Sequence, residues 1–256
     1  MSQAPTRTTQ DRQRGRAGVA VLVCGVVVAA HLACQVLGAE KAADVTQWLL
    51  APSLVAVLLA LVPAPRGRRA RLVLVGLGFS WLGDTAPDLA EGSTAFLVMV
   101  AFFMLAQAAY IAAFAPDWRR SPLLGRPWLL TPYVVLFVSL VAACAPGAGA
   151  LLAPVVVYGL LLVSMAVLST GVNRATGLGG AFFFVSDALI ALDHLAGLEL
   201  PRQGLWVMAT YIAAQVLLVV GVAAARREGS GQHDPAARVA DAPPTARGLP
   251  GGGQPA

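Results

Sequence analysis

The sequence predicts an all-α, polytopic integral membrane protein with eight transmembrane helices and both termini in the cytoplasm. Composition, the placement of charged residues and the alternation of basic segments along the chain lead to this prediction. Of the 256 residues, 57% are hydrophobic and 12% are charged, whereas ordinary soluble domains are about 25% charged. The mean hydropathy is +0.72. Such a chain cannot cover a water-facing surface, so a soluble globular domain is excluded.

Charged residues are concentrated near the two ends of the chain. Only 19 Asp, Glu, Lys and Arg residues lie between positions 17 and 225. We therefore predict a disordered basic tail over residues 1–16, a transmembrane domain over residues 17–225 and a second disordered tail over residues 226–256. The second tail is rich in Gly, Pro, Ala and Gln and has no apolar periodicity.

Eight apolar runs have about the length that crosses the hydrocarbon core, roughly 20 residues. They cover residues 17–38, 45–63, 71–89, 94–115, 127–146, 149–169, 177–196 and 205–225. The first exceeds the apolar core of a secretory signal, about 7–15 residues, so we interpret it as a retained helix. With the N terminus inside, the inner segments up to residue 227 hold 14 basic residues and the outer loops only Lys41 and Arg202. This alternation indicates eight spans with cytoplasmic termini.

The charged residues, cysteines and histidines argue against several partners and cofactors. The net charge of +5 comes from tails and loops beside a bilayer, so we expect no nucleic-acid partner. The three cysteines lie in apolar runs without a CxxC spacing, and only His31 and His194 fall within spans. We therefore expect no disulfide, metal or other cofactor. The Ala-, Val- and Arg-rich composition is typical of a high-GC bacterium, which predicts a multi-pass protein of a bacterial plasma membrane.

Two segments place carboxyl groups within the predicted lipid span. Ser80, Asp84 and Asp88 recur every four residues and share one helix face. In the seventh span, Ser186 and Asp187 lie at a depth similar to that of Asp84, since each residue adds about 1.5 Å. Charged groups at such depths cost several kcal/mol, which makes these carboxyls functional candidates.

Paired buried carboxyls permit acid–base chemistry, because one can hold a proton while the other accepts one from water. The residues alone leave alternatives open. Each Asp can instead be a hydrogen-bonding strut between helices, and Asp84 can cap a helix end near Pro87. Asp88, Asp193 and His194 lie nearer the membrane surface, where we expect solvated or structural roles. Further polar side chains in the spans can be struts or can line a headgroup cavity: Gln107, Tyr110, Tyr158, Tyr211 and Gln215.

At these positions the sequence resembles the YhhN family, which includes the TMEM86-like lysoplasmalogenases. A Ser-x-x-Gly-Asp element matches residues 80–84, a Gly-Ala element ending in Ser-Asp matches residues 180–187, and a Tyr-x-x-x-Gln element matches Tyr211 and Gln215. The resemblance covers roughly residues 17–225. The sequence departs from it at Gln47, where the family often has lysine, and at Gln107, where it often has histidine.

The resemblance implies a lipid hydrolase that cleaves the vinyl-ether, or a related ether, bond of a lyso-phospholipid. The products are a fatty aldehyde and a glycerophospho-base, and no cofactor is needed. It implies Asp84 and Asp187 as the catalytic acid–base pair, with their two roles unassigned. It also implies a set of side chains that bind the substrate: Ser80, Ser186, Tyr110, Tyr211 and Gln215.

The alternative is a proton- or cation-coupled transporter of small molecules or lipids that uses the same intramembrane carboxyls. No clear inverted repeat relates residues 17–115 to residues 127–225, and no interrupted helices occupy matching positions, although both are common in transporters. A purely structural membrane protein is the third reading. The carboxyl variants described below distinguish these three.

Overall fold

The protein forms a bundle of long helices in a computed structural model that describes residues 7–231. The described residues contain no strand, and the all-α prediction is confirmed. Eight helices have 18 residues or more: α1 (Arg7–Leu37), α2 (Glu40–Leu61), α3 (Arg68–Thr85), α4 (Gly92–Phe114), α5 (Thr131–Ala148), α6 (Leu152–Ser169), α7 (Arg174–Ala196) and α8 (Gln203–Gly231). Four short 3-10 helices, one four-residue α-helix (Pro122–Gly125) and short turns connect them.

Six segments of the described chain are long and apolar enough to cross a membrane. The segment over residues 127–169 contains both α5 and α6, whereas α3 is not among the six. Helix α3 is less apolar because it begins with three arginines in four residues and contains Asp84. The prediction of a multi-pass membrane protein is confirmed, while the count of eight spans and the cytoplasmic termini stay predictions.

Helices α1 and α8 continue beyond the apolar runs into both predicted tails, to Arg7 and Gly231. Arginine and glutamine favour helix almost as well as leucine, so the polar turns extend the helices. The rest of each predicted tail, residues 1–6 and 232–256, lies outside the described residues.

Helices adjacent in sequence pack together most extensively, as in the pairs α1–α2, α3–α4 and α7–α8. Helix α8 also contacts α1, α2 and α3, and helix α6 contacts both α4 and α7. Buried aromatic and aliphatic side chains of α2, α3, α4, α6, α7 and α8 form the main core. The two carboxyl-bearing helices, α3 and α7, therefore belong to one packed unit.

The bundle has two distinct ends. The terminal end comprises the start of α1, the end of α8 and the connections over residues 62–67, 115–130 and 170–173. There Arg69 pairs with Asp117, and Asn173 donates to the Gly221 carbonyl at 2.7 Å. The hairpin end comprises the connections over residues 38–39, 86–91, 149–151 and 197–202. Polar contacts tie the helices at both ends, and the cavity that leads toward Asp187 opens at the hairpin end.

Two glycines of the matched sequence elements allow close helix packing. A Cβ on Gly83 would lie 2.8 Å from the ring of Phe103 on α4. A Cβ on Gly180 would lie 2.7 Å from the backbone of Ala166 on α6. Both distances are shorter than real packing allows, so only glycine lets α3 and α7 approach these neighbours.

Candidate active site

Asp84 is held by hydrogen bonds from α8. Tyr211 donates its hydroxyl proton to Asp84 Oδ2 at 2.7 Å, and Gln215 Nε2 lies 3.3 Å from the same hydroxyl oxygen. Tyr211 and Gln215 are four residues apart on α8 and so share a face. Asp84 itself is partly buried, and the Gln47 side chain on α2 lies near it.

The network continues from Gln215 to two further helices. Its Nε2 donates to Ser80 Oγ on α3 at 3.0 Å, and its Oε1 accepts from the Tyr110 hydroxyl on α4 at 2.8 Å. Ser80, Tyr110 and Gln215 are almost completely buried. Because buried polar groups are costly unless paired, these bonds join α3, α4 and α8 in one fixed arrangement.

Asp187 lies on α7 and is 8% exposed. It accepts a hydrogen bond from the Tyr158 hydroxyl on α6. The two carboxyls lie on helices that meet here, because Tyr211, the donor to Asp84, packs against Phe183, one turn before Asp187. The two carboxyls therefore lie in one polar region, with a tyrosine donor on each.

Aromatic rings surround this polar region. Phe183, one turn before Asp187, packs edge-on against Tyr211 with ring centroids 5.6 Å apart. Phe103 packs edge-on against both rings, at 6.1 Å and 5.9 Å. Edge-to-face packing fixes the rings, so the tyrosine hydroxyl has little freedom to leave Asp84.

A cavity of about 590 Å³ opens at the hairpin end. This volume is within the range for small-molecule sites, about 300–1,000 Å³. Its walls include Phe96, Met99 and Ile190, which also line a narrow inner extension that reaches Tyr158 and Asp187. Gln47 also lines the cavity and lies near Asp84. The inner extension therefore reaches Asp187, whereas Asp84 lines neither space and adjoins the cavity wall through Gln47.

The mouth of this cavity is acidic. Asp193 and Glu199 line it, and no Lys or Arg does so among the described residues. His194 also lies there and stacks on Phe96 with ring centroids 3.9 Å apart. The cavity thus combines an apolar interior with a mouth that favours cations.

The structure brings together most of the sequence-predicted site residues. Ser80, Tyr110, Tyr211 and Gln215 belong to the Asp84 network. Ser186 instead donates to the Val207 carbonyl of α8 at 3.1 Å. It precedes Asp187 by one residue, which turns its side chain by about 100° around the helix.

Tyr158, a polar side chain within a predicted span, is the direct partner of Asp187. Its position in an otherwise apolar helix was the available signal. Asp88 accepts from the exposed Trp48 indole at 3.0 Å, in keeping with a place near the surface. Within residues 7–231, no three His, Cys, Asp or Glu side chains are grouped as metal ligands.

Comparison with known proteins shows to which family the chain belongs. The model of the YhhN family matches residues 46–222, which include both carboxyl-bearing elements and the Tyr211–Gln215 pair. The chain belongs to the YhhN family. Curated relatives of this YhhN protein include lysoplasmalogenase TMEM86B from three mammals.

The three relatives have similar degrees of identity to this YhhN protein. The Rattus norvegicus protein is 33% identical over 171 residues, covering 66% of this chain and 69% of the relative. The human protein is 31% identical over 163 residues, covering 62% and 66%. The Mus musculus protein is 32% identical over 184 residues, covering 71% and 76%. No solved structure matches the chain.

Proposed function

We propose that this protein is a membrane hydrolase of the lysoplasmalogenase type, which cleaves the vinyl-ether bond of a lyso-phospholipid. The observation that carries the proposal is a pair of carboxyls beside a largely apolar cavity: Asp187 lines its inner extension, and Asp84 is bonded to Tyr211, which packs against Phe183 one turn before Asp187. The names of the curated relatives support the same reaction. The bacterial plasma membrane is the proposed location.

The reaction needs one proton donor and one water. Protonation of the alkene carbon that is not bonded to oxygen converts the vinyl ether into an oxocarbenium ion. Water adds to the carbon bonded to oxygen, and a carboxylate accepts a water proton, which gives a hemiacetal. Transfer of the hemiacetal hydroxyl proton to the glycerol oxygen breaks the remaining C–O bond and yields a fatty aldehyde and a glycerophospho-base. Asp84 and Asp187 supply the acid and the base.

The surrounding residues have supporting roles in this proposal. Tyr211 and Tyr158 orient the two carboxyls, and Gln215 fixes Tyr211. The apolar walls accommodate the alkenyl chain, which keeps bulk water from the oxocarbenium ion. At the mouth, Asp193 and Glu199 favour a headgroup with a protonated amine.

The decisive experiment measures aldehyde release from lysoplasmenylethanolamine by the purified full chain in detergent. We expect aldehyde from this lipid and none from the matching alkyl-ether lyso-lipid, which has no double bond to protonate. Asp84→Asn and Asp187→Asn are each expected to lower kcat by about 100-fold or more, the usual contribution of an acid or base. Asp88→Asn, near the surface of the same helical region, is the matched control and should retain wild-type rates.

Wild-type rates in either buried-carboxyl variant would contradict the assigned pair. Reconstituted vesicles test the transporter alternative, which predicts substrate-coupled proton flux without aldehyde. Wild-type cellular function of both variants would favour a structural role.

A further inference from the structure

Gln107 lies on the face of α4 that lines the inner extension of the cavity. Phe96, Val100 and Phe103 line that extension, and Gln107 follows Phe103 by four residues. Side chains at this spacing lie one above the other on a helix. The amide of Gln107 therefore lies one turn deeper than the last of these rings, at the inner end of the cavity.

Within the described part of the chain, the amide of Gln107 makes no hydrogen bond of normal geometry. The residue is 0% exposed, and both its Nε2 and its Oε1 lack a partner. Gln215 has a comparable burial, but both of its amide atoms are paired. Buried polar groups without partners are rare because their desolvation is uncompensated, and an ordered water commonly satisfies them.

The Gln107 amide lies close to the Tyr158 hydroxyl. Tyr158 donates its proton to Asp187, which leaves its oxygen free to accept a hydrogen bond. The Gln107 amide supplies a donor and an acceptor, and Asp187 retains acceptor capacity. These groups from α4, α6 and α7 provide the two to four polar contacts that a bound water requires.

We propose that Gln107 and Tyr158 hold the attacking water against Asp187, which makes Asp187 the base and Asp84 the acid. This assignment rests on the proposed function and goes beyond it by giving the two carboxyls different roles. Gln107 acts as a positioning residue, since it orients the water and exchanges no proton itself. Asp84 protonates the alkene carbon, water attacks the oxocarbenium ion, and Asp187 takes a proton from that water.

The first test separates positioning from folding. In Gln107→Leu, we expect kcat to fall about tenfold or more with KM within about twofold of wild type, because the water is misplaced while the lipid still binds. The melting temperature should not fall, because a buried amide without a protein partner is replaced by an apolar group of similar size. Gln107→His keeps a donor and an acceptor and should restore most of kcat.

A buried serine far from the cavity provides the control for Gln107→Leu. Ser53 on α2 donates only to the Leu50 carbonyl at 2.7 Å, so Ser53→Ala should leave kcat unchanged. An unchanged kcat in Gln107→Leu, or a loss that Gln107→His does not restore, would overturn the water-positioning role.

The second test uses deuterium exchange and does not depend on any Gln107 variant. Protonation by Asp84 is reversible if no water attacks, so in D₂O an Asp187→Asn variant should return lipid that carries deuterium on the alkene carbon. One deuteron is gained and one proton is lost at that carbon, and no other bond changes. Asp84→Asn should return unlabelled lipid, since its donor is missing.

Exchange in Asp84→Asn without exchange in Asp187→Asn would reverse the assignment and so contradict it. Absence of exchange in both variants would contradict it as well. Failure of the proposed function has a different result, since the wild-type protein would then release no aldehyde from any vinyl-ether lyso-lipid.

Discussion

The two buried carboxyls of the site are held in different ways. Asp84 is the end of a hydrogen-bonded network that includes Tyr211, Gln215, Ser80 and Tyr110. Asp187 has a single described side-chain donor, Tyr158, and it lines the inner extension of the cavity. One carboxyl is thus fixed by neighbouring helices, whereas the other faces the space where a substrate would lie.

This difference explains how one helix bundle can give two chemically identical groups different tasks. A carboxyl whose donor is itself held by a further hydrogen bond keeps one orientation, which suits transfer of a proton to one fixed carbon. A carboxyl with remaining acceptor capacity can bind and deprotonate a water. The predictions below test this contrast, beginning with the largest effect.

The two tyrosines give the sharpest comparison. Tyr158→Phe should lower kcat about 100-fold, because it removes the single described donor to Asp187 and a contact of the proposed water. Tyr211→Phe should lower kcat only about tenfold, because Gln47 also lies near Asp84. Steady-state aldehyde release measures both variants. Equal losses would show that the two carboxyls depend equally on their tyrosines.

The two buried glutamines should differ in stability. Gln215→Leu leaves Tyr110 and Ser80 without their partner, so we expect a loss of about 1–3 kcal/mol for each stranded group. Gln107→Leu removes no hydrogen-bond partner from another protein group, so its melting temperature should be no lower than that of the wild type. Thermal unfolding in detergent compares the two. A Gln215→Leu variant as stable as Gln107→Leu would contradict the stabilising role of the network.

A glycine pair on α3 tests the packing beneath Asp84. In Gly83→Ala the new methyl group meets the Phe103 ring, and such overpacking costs about 1–3 kcal/mol. Gly78 on the same helix has no atom within 4 Å of an added Cβ, so Gly78→Ala should be neutral or gain about 0.5–1 kcal/mol. Unfolding temperatures give the comparison. Equal values would mean that Phe103 moves aside without cost.

The smallest expected effect lies at the mouth of the cavity. Glu199→Gln should raise KM for an amine-headgroup lipid about threefold at low salt and leave kcat unchanged, since an exposed charge is weak and screened. Kinetics at two ionic strengths measure this change. A lower kcat would show that Glu199 affects the chemical step.

The sequence predicted the polar network better than the neighbourhood of Asp187. Helical spacing placed Ser80 and Asp84 on one face of α3, and the resemblance implied Tyr211 and Gln215 on α8 as site residues. The contact between Tyr158 and Asp187 depends on how α6 and α7 cross, which no spacing within either helix reports.

Two further differences follow from local geometry. Ser186 adjoins Asp187 in sequence but faces α8, because adjacent residues on a helix point in different directions. Helix α3 was predicted as a span like the others, yet its arginines and Asp84 make it less apolar than the six segments that qualify. A functional carboxyl lowers the hydropathy signal of the helix that contains it.

Successive hydrogen bonds of the Asp84 network point toward Asp84, which bears on the side of the membrane from which its proton can be replaced. They run from Tyr110 through Gln215 and Tyr211 to Asp84, and Tyr110 is completely buried beside Phe114. No described step continues from Tyr110 to the terminal end. Because the cavity also opens at the hairpin end, lipid, water and the replacement proton would all come from one leaflet, and the aldehyde and headgroup would return to it. The enzyme would then work on a single face of the membrane although its helices cross the whole of it.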